Sequence, residues 1–173
     1  STTHVGLIQV LAVTANMIEH QTNQKAESIL SGLIAGTSVS GMRFGGIPQI
    51  LFSTENAPGE PYINLGSAWC VYPERPATLP AEEQDTPGPD SEEAEIALIS
   101  TLRHKVVASI EVLHPWPHLV LTFTDGSVLF LNGKNDVHEP WQAGLAWSSP
   151  GDRIDVIACP GGELAFVLPA SDR

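Results

Sequence analysis

Apolar residues recur along this chain in two rhythms, and the switches between them mark its elements. Ile29, Leu30, Leu33 and Ile34 fall at the spacing of one helical face, with Thr22 or Asn23 placed to cap its start. Ile96, Ile99 and Leu102 form a second stripe, and Asp90 followed three residues later by Glu93 reads as a capping-box variant. Each helix is expected to lay its stripe on a sheet. Leu119 to Phe123, Thr124-Asp125-Gly126-Ser127 and Val128 to Leu131 then read as a hairpin, because Asp-Gly accommodates the positive φ angles of a type I′ turn. A two-residue loop sets Phe123 opposite Val128 and Leu121 opposite Phe130. Both faces of that ribbon are largely apolar, so it belongs in a sheet covered on both sides or in a subunit interface. Asp125 is thereby a turn residue and not a catalytic one. A second hairpin runs from Arg153–Ala158 to Leu164–Leu168 through Gly161 and Gly162, and should close or extend the sheet. The N-terminal VGLIQVLAVTANMIEH is ambiguous: its β-branched run from Val5 to Val13 suits a strand, whereas Leu7, Leu11 and Ile18 suit a helix, favoured from Ala12 onward.

The two helical stripes belong to a longer similarity. Placing Glu27–Phe44 over Glu95–Val112, an offset of 68, matches Glu27 with Glu95, Leu30 with Leu98, Ile34 with Leu102, Val39 with Val107, Met42 with Ile110 and Phe44 with Val112. PQILFST then overlies PHLVLTF, and Trp69 overlies Trp141. We read an internal duplication in the order helix, strand, proline, strand, loop, tryptophan. The expected fold is α+β with two related units, each a helix on a short antiparallel sheet, joined through their sheets. The units span 1–71, with an N-terminal extension, and 91–173, with the C-terminal hairpin; 72–90 connects them.

That connection changes the charge picture. Tyr72 to Glu95 holds five prolines and eight carboxylates against one arginine, supplying −7 of the net −12. Such a segment has little apolar surface to bury and is expected to be a mobile linker or an acidic arm for a basic partner. An overall excess of 20 carboxylates over 8 basic side chains disfavours nucleic acid. The composition, 42% hydrophobic and 16% charged, is that of a globular protein. No apolar run reaches the ~18 residues of a membrane span, and the N-terminus lacks the features of a signal peptide, so a cytoplasmic protein is expected. Cys70 and Cys159 match no zinc or redox spacing and are expected as reduced, mostly buried thiols.

Candidate chemistry is sparse. His138-Glu139 are neighbours that point apart in extended chain, and they lack the H-x-E with P-C-x-x-C spacing of zinc deaminases. His114 and His118 would converge on a metal only in a helix, which the prolines of HPWPH forbid. No G-x-S-x-G elbow, Walker loop, HExxH or dinucleotide fingerprint appears, and neither metal nor cofactor is implied. Trp69 and Trp141 read as packing anchors. Trp116 and Trp147, beside proline-rich loops, are candidate contacts for a protein partner, together with the acidic Glu82, Glu83 and Asp85. An alternative enzyme or small-molecule site would gather His104, His114, His118 or His138 with Glu139 between the units.

GEPYINLGSAWCV, and LVLTFTDGSVLFLNG followed by HEPWQ, resemble small, largely uncharacterised bacterial proteins with a recurrent strand, DG turn, strand and aromatic loop. Some of these occur as immunity proteins of contact-dependent toxin systems. The resemblance covers roughly Leu33 to Trp69 and Leu102 to Trp141 and carries over no catalytic residue. The acidic charge, the tryptophan candidates and the absence of a catalytic constellation lead us to expect a non-enzymatic binding protein, for example an immunity protein, whose acidic surface steers a basic protein partner. A homodimer built on the apolar ribbon is the remaining expectation.

Overall fold

The computed structural model describes residues 2–55 and 58–170. Helix α1 spans Thr2–Ile34, so the ambiguous N-terminal stretch is helical throughout. Its β-branched residues do not prevent this, since Val and Ile differ from Ala by under ~1 kcal/mol per residue in helix propensity. No cap therefore stands at Thr22 or Asn23. Thr22 Oγ1 bonds back to Ile18 O at 2.9 Å, and Asn23 Nδ2 donates to Leu113 O at 2.5 Å. Ala26, Leu30 and Ile34 form the buried stripe, and Gly36, at φ +83°, turns the chain out of the helix.

Strands β1 (Ser38–Arg43), β2 (Gln49–Ser53) and β3 (Glu60–Leu65) form one antiparallel meander, and β4 (Trp69–Tyr72) follows. After α2 (Glu92–Ser100), β5 (Val107–Val112), β6 (Leu119–Phe123) and β7 (Val128–Leu131) form a second, and β8 (Trp141–Ala146) follows. In each case the next strand leaves its own meander: β4 pairs with β7, and β8 with β3. The result is α+β with two antiparallel sheets, ordered β1-β2-β3-β8-β9-β10 and β4-β7-β6-β5. Neither sheet is built from residues 1–71 or 91–173 alone. The C-terminal hairpin, β9 (Ile154–Ala158) and β10 (Leu164–Val167), extends the larger sheet, with Gly161 and Gly162 at φ +84° and +91° in its turn.

Matching positions recur in the backbone. Leu65 faces Trp141 across β3 and β8, as Leu131 faces Trp69 across β7 and β4. Bulges interrupt β1 between Val39 and Gly41 and β5 between Val107 and Ser109, positions 68 apart. Ser38 and Val106, at the same spacing, pair with each other. Around them Val39 N donates to Lys105 O at 3.0 Å and Val107 N to Thr37 O at 2.9 Å. Gly36 N reaches Val107 O at 2.8 Å and His104 N reaches Val39 O at 2.9 Å. Gly36 and His104 both have positive φ.

Two local expectations shift by one residue. The N-cap of α2 is Ser91, whose side chain accepts from Ala94 N at 3.2 Å, not Asp90. Glu92, Glu93 and Glu95 then place negative charge on the helix N-terminus. Ile99 is buried, Leu102 is buried just past the helix end, and Ile96 is exposed. The Asp125 turn is not type I′. Only Gly126 in it has positive φ, and Thr122 faces Val128 while Leu121 faces Leu129. Phe123 N donates to Ser127 O and Gly126 N to Phe123 O, both at 2.9 Å, closing a three-residue loop. The Asp125 carboxylate selects this turn by accepting from Ser127 N at 2.9 Å, Ser127 Oγ at 2.6 Å and Lys105 Nζ at 2.7 Å. The lysine beside it, then the serine, holds that carboxyl well below the usual range.

Inner-face residues of both sheets, with α1 and the end of α2, form one core that includes Trp69, Trp141, Phe52 and Phe123. Both tryptophans are buried there, and Trp141 Nε1 donates to Pro117 O at 2.7 Å. A smaller cluster of Cys70, Val120, Val128 and Phe130 lies on the outer face of the four-stranded sheet, packed by Tyr72, Leu79 and Leu113. The acidic segment supplies Leu79 and is tied down along its length. Glu82 pairs with Lys134 at 2.5 Å, Glu83 accepts from Ala68 N at 3.1 Å and Asn135 Nδ2 at 2.9 Å, and Arg75 pairs with Glu111. Both cysteines are free, Cys70 buried and Cys159 half-buried.

Candidate functional site

The polar counterpart of that cluster lies on the outer face of the six-stranded sheet. Gln49, Asn64 and Gln142 stand in one cross-strand row on β2, β3 and β8. Period-two alternation puts all three outward while Ile50, Ile63 and Ala143 enter the core. Gln49 Nε2 donates to Asn64 Oδ1 at 2.8 Å, and Arg43 Nη1 on β1 donates to Gln49 Oε1 at 3.1 Å. Beside the row, Tyr62 Oη donates to Asp155 Oδ1 at 2.5 Å and accepts from Gln142 Nε2 at 2.7 Å. Arg153 Nε donates to Asp155 Oδ2 at 2.6 Å. Tyr62 and Asp155 are only 5% and 3% exposed, and burial, then the Asp155 carboxylate, pushes the phenol pKa upward. A phenol that stays protonated is a hydrogen-bond donor and not a base.

Gln49, Tyr62, Asn64, Gln142, Arg153 and Asp155 line an open cavity of about 470 Å³ rimmed by Trp147. Trp147 is 76% exposed, has φ +59°, and carries the Arg43 guanidinium 5.2 Å from its ring centroid. A bulky side chain in the left-handed region stores on the order of 1–3 kcal/mol of strain. Of the groups at this cavity, sequence reasoning singled out Trp147 alone. The others are spread over four strands and adjacent turns, and the available signal was the polar residue at every second strand position.

A second cavity, about 500 Å³, separates α1 from the loop before β6 and the β9–β10 turn. Ile18, Glu19 and Thr22 line one side, and Trp116, Glu163 and Leu164 the other. Trp116 is half-buried, not exposed: Lys134 Nζ sits 5.2 Å from its ring centroid.

The remaining sequence candidates separate. Glu82 and Glu83 are consumed by the contacts described above, and Asp85 is exposed. His114 Nε2 meets Asn16 Oδ1 at 2.6 Å and its ring lies edge-on to His20. His118 is buried against Phe130, and its Nδ1 accepts from Gly133 N at 2.8 Å. Burial, with Lys134 nearby, lowers its pKa to about 4. His138 and Glu139 are exposed, and His138 Nε2 lies 3.2 Å from Asn135 Nδ2. His104 is exposed in the turn before β5. Among the described residues, no hydrogen bond joins any two of these histidines or joins one to Glu139, and no group of three His, Cys, Asp or Glu side chains could hold a metal. No helix there is long and apolar enough to cross a membrane. Compared with protein-family models, with curated proteins and with solved structures, the chain matches none.

Proposed function

We propose that this is a non-enzymatic binding protein that docks on a basic protein partner, in the manner of an immunity or regulatory protein. The observation that carries this reading is the continuity of the second cavity with exposed apolar side chains on α1. Towards its N-terminus α1 touches the body of the protein through Asn16 and His20, which meet His114, and Leu11, Val13, Met17 and Ile18 are 61%, 60%, 58% and 58% exposed. Ile18 also lines the cavity opposite Trp116, and Leu11, seven residues away on the same helical face, continues its apolar wall. Interfaces concentrate their affinity where an anchor side chain fills such a pocket. The cavity lining holds Glu19 and Glu163 and no basic residue, and the chain carries a net charge of −12. The fitting partner therefore presents apolar surface bordered by Lys or Arg.

The same reading treats the chain as two copies of one unit that exchange their fourth strands. The backbone bonds at 68-residue spacing support this, as does the reciprocal pairing of β4 with β7 and β8 with β3. A photo-crosslinking amino acid at Met17, in the native host, tests the docking surface. A single basic protein should be captured, and capture should be lost in a Leu11→Glu, Ile18→Glu variant that folds normally. Crosslinking only to a second copy, with a dimer by light scattering, would replace this reading with a homodimer through α1, because the apolar ribbon of β6 and β7 is buried within the chain and presents no surface for one.

A further inference from the structure

We propose that the groove beneath Trp147, on the outer face of the six-stranded sheet, binds a neutral saccharide. Sugar rings have an apolar face of C–H groups and an equator of hydroxyls that each donate and accept. A site for them needs an exposed aromatic plane beside planar polar side chains with unspent hydrogen-bonding capacity. Trp147 supplies the plane, with Arg43 over one side of the ring and the residue still 76% exposed. The bonds within the row leave specific atoms free among the described residues. Gln142 spends its amide nitrogen on Tyr62 and keeps Oε1; Asn64 spends its oxygen on Gln49 and keeps Nδ2. Arg153 spends Nε on Asp155 and keeps both terminal nitrogens. One acceptor and two sets of donors thus line the cavity that Trp147 rims. Gln142 and Arg153 are held by buried Tyr62 and Asp155, and Asn64 by Gln49, so they need no reorganisation to meet a ligand.

Charge selects the neutral class. The two cations, Arg43 and Arg153, face Glu60 at 3.9 Å and Asp155 at 2.6 Å, so the groove carries no excess positive charge to favour an acidic sugar. The corresponding row of the other sheet also argues that polarity here serves a ligand. Cys70, Val120 and Phe130 hold those places and are covered by the chain, so the fold itself does not require amides.

The full chain is titrated separately with cellotetraose, chitotetraose and maltotetraose, following tryptophan fluorescence and ligand-proton saturation transfer. At least one should bind in the micromolar to millimolar range, with saturation on its ring C–H protons. Trp147→Ala should weaken it at least about tenfold, Trp147→Phe far less, and Asn64→Ala about three- to tenfold; Trp116→Phe should change nothing. Trp147→Gly adds a readout independent of folding defects. A glycine relaxes the left-handed backbone, so this variant should unfold at a higher urea concentration than the parent while losing the sugar. Failure of all three sugars to bind overturns the proposal, as does binding that survives Trp147→Ala. Neither result bears on partner capture at Met17, which lies on a different surface.

Discussion

The outer faces of the two sheets are built on one register and end in opposite chemistry. Gln49, Asn64 and Gln142 cross the six-stranded sheet in the same pairing pattern by which Val120, Phe130 and Cys70 cross the four-stranded one. One row is polar, open and rimmed by Trp147; the other is apolar and lies under Leu79 of the acidic segment. Backbone geometry is thus not what distinguishes them. The difference is whether the chain covers the face, and a covered face must be apolar or pay desolvation of every unpaired amide. The acidic segment is tethered by Glu82, Glu83 and Arg75 at its borders, where charges keep contact with water, while Leu79 turns inward.

If that comparison is right, the covered row carries stability and the open row carries binding. The largest effect belongs to Phe130→Ala, which empties a fully buried ring site and should cost about 3–5 kcal/mol in urea unfolding. Acid should attack the same face next. His118 leans on Phe130, and its folded pKa of about 4 lies below its unfolded value near 6.5. Between those values the unfolded chain binds the extra proton, so this stabilisation is complete above pH 6.5 and shrinks as pH falls towards 4. From pH 7 to 4.5 the loss should be about 2 kcal/mol. His118→Asn, which keeps an acceptor for Gly133 N, should flatten that part of the profile.

Some of this contrast was legible in the sequence and some was not. Short-range chemistry announces itself: Asp125-Gly126 and Gly161-Gly162 marked both hairpins, although the Asx bonds of Asp125 shifted the first register by one residue. The 68-residue spacing was visible in Val39 and Val107, which are both buried and both sit at a bulge. The destinations of β4 and β8 were not visible, since Trp69 and Trp141 have equally apolar partners on either meander and only long-range packing chooses between them. His138-Glu139 attracted attention by adjacency, whereas the groove draws Gln49, Tyr62, Gln142 and Asp155 from across the chain. Separately each reads as an ordinary strand residue. The polar composition of the acidic segment predicts a mobile linker, yet the single Leu79 and a few well-placed carboxylates dock it.

Within the open face, the support beneath the row should matter more than the row. Tyr62→Phe removes the phenol that donates to buried Asp155 and should cost about 1–3 kcal/mol, measured by thermal or urea unfolding. The covering segment should yield less. Glu82→Gln weakens a half-exposed ion pair by about 0.5–1 kcal/mol, but Cys70 beneath the segment turns this into a kinetic signal. In a Cys159→Ser background, thiol labelling of Cys70 should accelerate several-fold in Glu82→Gln without a matching change in global stability.

The smallest effect is the sharpest test. Asn64→Ala deletes a cross-strand amide bond between half-exposed side chains, and water replaces such bonds at almost no net cost. Its unfolding free energy should stay within ~0.5 kcal/mol of the parent. Phe130, at the corresponding place on the other sheet, should differ by several kcal/mol under the same measurement. Were Asn64→Ala to cost 2 kcal/mol or more, the polar row would be holding the sheet together. Its free Nδ2 and the Gln142 Oε1 would then be by-products of a structural ladder, and the contrast between a covered and a presenting face would lose its meaning.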